Sequence, residues 1–110
     1  MLKQSDFVKI RTAVPVANAG DVRKAMGDAG AGMQGNYADC SSSYLSIGRF
    51  TPLKGANPAI GEVGKQEEVK EEIIEMLCHK DIVEKVVLAL KKAHPYEEST
   101  IDIIPRLDIE

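Results

Sequence analysis

Gln66-Glu67-Glu68-Val69-Lys70-Glu71-Glu72-Ile73-Ile74-Glu75-Met76-Leu77-Cys78 is the stretch whose conformation decides the fold of this chain. Val69, Ile73, Met76 and Leu77 fall at helical spacing, and the glutamate-rich composition favours a helix, so the local signals predict helix over residues 66–78. Residues 67–93 would then form one long interrupted helix. Taken as a strand, the same residues complete the order βαββαβ with an added ribbon, the ferredoxin-like arrangement with two helices on one sheet face. The strand alternative gives the following helix a sheet to pack on.

The flanking segments are less ambiguous. From Phe7 to Val16, Val8, Ile10, Thr12, Val14 and Val16 alternate with Lys9 and Arg11, the period-2 pattern of a half-buried strand. Asn18 or Asp21 can cap a helix carrying Val22, Ala25, Met26 and Ala29, and Gly30 supplies its stop. A glycine-rich connection over residues 30–36 leads to extended residues 37–45, with residues 46–51 as their hairpin partner. Pro52, Gly55, Pro58, Gly61 and Gly64 exclude regular structure from residues 52–64 and predict a long loop. Ile82, Val83, Val86, Ala89, Leu90 and Ala93 form a helical stripe that ends at His94, because Pro95 disfavours the α conformation before it. Thr100 to Ile104 reads as the last strand, closed by Pro105.

The chain has 110 residues, enough for one domain spanning 1–110 with a core of about 7–105. Its 14 basic and 17 acidic residues are interspersed and give a net charge of −3, with no footprint for nucleic acid. No stretch approaches a signal or membrane span, so the expected location is the cytoplasm. Cys40 and Cys78 match neither zinc nor redox spacing and read as reduced thiols. The core must rest on aliphatic residues, for the chain has two Phe, three Tyr and no Trp. Oligomerisation is a natural way for so small a domain to gain burial.

Several strings are distinctive: Gly30-Ala31-Gly32, Gly35-Asn36-Tyr37, Gly48-Arg49-Phe50, Gly55-Ala56-Asn57-Pro58, Ile60-Gly61 and His94-Pro95-Tyr96-Glu97-Glu98. In this order they resemble the domain inserted in the Nif-three-like family, the type 2 GTP cyclohydrolase homologues, over about residues 7–105. That inserted domain is similar to the CutA and PII proteins, trimers of a ferredoxin-like unit. The resemblance implies a strand at residues 66–78, an α+β PII/CutA-like sandwich and a homotrimer. Ser99, where a second proline often follows Glu-Glu, and Gln34 are the departures. The family's dinuclear metal centre lies in a flanking domain rich in histidine, whereas this chain has only His79 and His94. A standalone module without that centre is therefore implied, and a hydrolase activity does not carry over to these residues.

Ligand-binding candidates are His94, Tyr96, Glu97, Glu98, Asn36, Tyr37, Asn57 and Gly61. His94 and Glu97 supply the donors a divalent metal ion would need, and Cys78-His79 could add to them. The competing structural account is a turn in which Pro95 stops the helix, Tyr96 packs and His94 caps. Residues 55–64, flanked by Lys54 and Lys65, could present backbone amides to an anion but lack the Gly-Lys-Ser/Thr ending of a phosphate loop. Ser41, Ser42 and Ser43 have no neighbouring base and read as an exposed strand face. The run Glu67, Glu68, Lys70, Glu71, Glu72 and Glu75 reads as a solvated face. The resemblance to the PII and CutA proteins thus implies first a regulatory or binding module for a small molecule, metal or protein partner. The alternatives are a component that docks onto a separate metal-centre domain, or a copper or zinc tolerance protein.

Overall fold

A computed structural model describes residues 1–110. Strand β1 (Leu2–Pro15) leads through a 3-10 turn at Val16–Asn18 into α1 (Ala19–Asp28). Then follow β2 (Ser42–Phe50), β3 (Glu67–His79), a second 3-10 turn at Lys80–Ile82, α2 (Val83–Ala93) and β4 (Ile101–Ile109). All neighbouring strands are antiparallel, in the order β2-β3-β1-β4. The order βαββαβ is the ferredoxin-like α+β sandwich that the strand alternative required.

The glutamate-rich stretch is thus a central strand. Its register runs from Phe7↔His79 to Pro15↔Glu71 against β1, and from Ser42↔Glu75 to Phe50↔Glu67 against β2. Ile74, Met76 and Cys78 enter the core beneath the helices, while Glu71 and Ile73 are buried on the opposite side. A strand uses two apolar sets on alternate faces; a helix would leave one of them in water. Tertiary pairing on both edges overrides the local preference.

Ile10, Val14, Val22, Met26, Ile74, Val86 and Leu90 are fully buried and make up most of the single core between sheet and helices. Asn18 takes the N-cap position of α1 but makes no side-chain cap bond, and Asp21 lies in the first turn, where its charge favours the helix dipole. Gly30, at φ 113°, ends α1 as expected.

Three expectations need correction. The two extended segments over residues 37–51 are one strand, β2, so no separate ribbon forms there. A two-stranded projection instead arises where residues 47–50 pair with 67–70 beyond the end of β1, which elongates the molecule to 51 × 26 × 24 Å. Strand β1 begins at Leu2 rather than Phe7. Its register against β4 shifts between Gln4 and Val8, and Ser5 turns inward to accept a 3.0 Å hydrogen bond from the Phe7 amide. Finally, β4 continues through Pro105, which pairs with Val8. The edge position of β4 tolerates a residue without an N–H.

Candidate functional site

Between β2 and β3, residues 51–66 form the predicted long loop. Ala56 donates its amide to Leu53 O (2.9 Å) and Gly64 to Pro52 O (2.8 Å), bonds that fold the loop upon itself. The Asn57 amide donates to Glu97 Oε1 (2.9 Å), tying the loop to the segment between α2 and β4. Beside them Phe50, Gly48 and Glu71 project from the sheet face opposite the helices, by the β2–β3 register. Together these parts enclose an open cleft of about 440 Å³, lined among others by Phe50, Pro52, Ala56, Ile60, Glu71, Tyr96 and Glu98.

Tyr96 stands at the junction. Its ring meets Phe50 edge-on at 5.7 Å between centroids, and its hydroxyl donates to Glu71 Oε2 (2.8 Å). Burial, then the Glu71 hydrogen bond, pushes the phenol well above its ordinary range near 10. The other carboxylate oxygen, Glu71 Oε1, overlies Gly48 so closely that a β-carbon there would collide with it. Glycine at position 48 makes room for the carboxylate.

His94 is buried and its ring spans two elements. The Tyr96 amide donates to Nδ1 (3.1 Å), so Nδ1 carries a lone pair and Nε2 carries the proton, which it donates to Ala13 O (2.7 Å). Thr12 Oγ1 adds a bond to Thr100 O (2.8 Å). The turn at residues 94–100 is therefore fastened to β1, and its orientation follows from the sheet. His94 does not cap the α2 carbonyls through its ring; its backbone amide bonds to Leu90 O (2.9 Å).

The predicted site residues divide. Tyr96, Glu97 and Glu98 line the cleft, and Asn57 braces its loop from between the lining residues Ala56 and Pro58. Gly61 is a positive-φ bend beside Glu67, outside the lining. Asn36 and Tyr37 lie outside it too, in a tight exposed turn where Gln34 and Tyr37 exchange backbone bonds of 2.9 and 3.0 Å. Of the candidate metal pair, both ring nitrogens of His94 are engaged within the protein, and Glu97 is turned to the Asn57 amide. No three His, Cys, Asp or Glu side chains converge as metal ligands. The Cys78 thiol is buried in the helix-side core, which raises its pKa, and His79 Nδ1 accepts from the Asp81 amide (3.2 Å).

Glu71 was missed because it sits in a charge run that reads as solvated. It is only 6% exposed. The signal available was its place in the alternation Val69, Glu71, Ile73, which sets it on an apolar face. Phe50 and Gly48 carried no chemical signal of their own. The cleft's charged lining is Glu71, Glu97 and Glu98 against Arg49, itself paired with Glu68 (3.1 Å), so it is poorly suited to a phosphate.

No family model matches this sequence. A GTP cyclohydrolase 1 type 2 homologue of Bacillus subtilis (strain 168) is 45% identical over 97 residues, 88% of this chain and 26% of that protein. The chain thus spans about a quarter of the length of the curated relatives it matches. Among solved structures, a Bacillus cereus protein related to NIF3 is 39% identical with a TM-score of 0.79, covering 96% of this chain and 26% of that one. CutA from Synechococcus elongatus PCC7942 is 15% identical with a TM-score of 0.67, covering 98% and 85%, a likeness of fold alone.

Proposed function

Because this chain is a sequence relative of the NIF3-related proteins, matching about a quarter of their length, we propose that it is a binding or regulatory module rather than a catalytic unit. The observation that carries this reading is the convergence of loop 51–66, the β2–β3 face and the turn at residues 94–98 on one cleft of mixed apolar and polar lining. Strand β3 and the segment after α2 supply the polar groups, while the loop supplies much of the apolar wall. The module works as a homotrimer in the cytoplasm. Two observations support this: strands β2 and β4 are open edges bearing the exposed Leu45, Ile47, Leu107 and Ile109, and no helix is long and apolar enough to cross a membrane.

A nuclear magnetic resonance screen against pooled metabolites tests the site. Shifts concentrated on Phe50, Ile60, Tyr96 and Thr100 are expected, and binding that perturbs only residues outside the cleft overturns the reading. Light scattering that returns the mass of one chain overturns the trimer.

The length of the relatives favours a second reading, in which the chain is one component of a cyclohydrolase-like protein and docks onto a metal-bearing part. GTP turnover that appears only when the remaining three quarters of a relative is added would select it. Turnover by this chain alone would reject both.

A further inference from the structure

Resting on the reading that the cleft takes a small ligand, we propose that its ligand class is a protonated amine with an apolar body, seated on Glu71. Glu71 is 6% exposed, and its side chain takes part in none of the ion pairs of the structure. Its Oε2 accepts from Tyr96, while Oε1 lies against Gly48 without a donor from the protein and keeps solvent access, both residues belonging to the cleft lining. A carboxylate so largely withdrawn from water and without a counter-charge is costly, and a cation brought by a ligand relieves that cost.

The surroundings select among cations. Glu97 and Glu98 add negative charge, and the one cationic side chain of the lining, Arg49, is already held by Glu68. An anionic ligand is repelled. Tyr96 Oη donates its hydrogen bond to Glu71 and keeps lone pairs that can accept a second N–H of an ammonium group. The Phe50 and Tyr96 rings, edge to face, offer a surface for the apolar body and for a cation–π contact. A bare divalent ion fits poorly, since no three ligating side chains converge.

The experiment compares three probes of one shape on the unmodified protein at about pH 7, where the amine is charged: 2-phenylethylamine, 2-phenylethanol and 3-phenylpropanoate. The amine is expected to shift the amide resonances of Gly48, Phe50 and Tyr96 and to bind about tenfold tighter than the alcohol, with the carboxylate weakest. Glu71→Gln, which keeps an acceptor for Tyr96, should weaken the amine about tenfold and leave the alcohol unchanged. Equal or tighter binding of the alcohol or carboxylate overturns the amine assignment while leaving the cleft as a ligand site. Amine binding undiminished in a folded Glu71→Gln variant also overturns it. If none of the three probes moves these resonances, the assignment fails, and the metabolite screen decides separately whether the cleft binds anything else. The probe comparison needs no variant, so it stands even where Glu71→Gln folds poorly.

Discussion

The Tyr96 hydroxyl donates a 2.8 Å hydrogen bond to Glu71 Oε2, joining the turn after α2 to the central strand β3 on the sheet face that carries no helix. This one bond holds together two of the polar groups that line the cleft. Tyr96→Phe removes the donor and leaves a buried carboxylate short of a partner. A loss of about 1–3 kcal/mol in urea-denaturation stability is expected, and a loss below the error of the measurement would show that the bond is replaced by water.

The same pair predicts an alkaline limb. The folded-state pKa of Tyr96 is raised above the ordinary 10, by burial first and by Glu71 second. Its contribution is complete below the unfolded pKa and is lost as the pH climbs above about 10 toward the folded value, because the unfolded chain releases the proton first. Stability measured against pH should fall more steeply in the wild type than in Tyr96→Phe over that range. Parallel curves would contradict the assignment.

Gly48→Ala drives a methyl group into the Glu71 carboxylate. The expected cost is about 1–3 kcal/mol, and it should shrink in a Glu71→Ala background, where the obstacle is gone. A double-mutant cycle reads the coupling directly; additive costs would mean that the two residues do not meet.

His94 tells the structural account of the histidine turn from a metal-binding one. Its ring bridges Ala13 O and the Tyr96 amide, so His94→Ala should cost about 1–3 kcal/mol. His79, half-exposed at a single bond to the Asp81 amide, should matter less when replaced by Ala. Copper or zinc titrations of the folded protein should give the same affinity with and without the His94 ring. A tenfold drop in His94→Ala would select the metal reading.

Cys40 is partly exposed and Cys78 is buried, with its thiol pKa raised by that burial. Iodoacetamide should label Cys40 rapidly and Cys78 only as the protein unfolds. Equal rates would place Cys78 outside the core.

What the sequence determined by itself was the set of elements with unequivocal periodicity. The alternation of Val8, Ile10, Thr12 and Val14 produced β1, the apolar stripe from Ile82 to Ala93 produced α2, and Pro95 ended it, because each pattern fits only one backbone period. The punctuation from Pro52 to Gly64 gave the loop, and the His94 to Glu98 string gave part of the cleft wall. Residues 66–78 were settled by resemblance rather than by their own chemistry, for glutamates at helical spacing are locally good helix formers. Only the tertiary structure decided that β2 is unbroken, that β4 crosses Pro105 and that Glu71 is buried. Edge position, pairing register and the close approach of a carboxylate to Gly48 arise between segments distant in sequence. No local period records which carboxylate of a charged run will lie over that glycine.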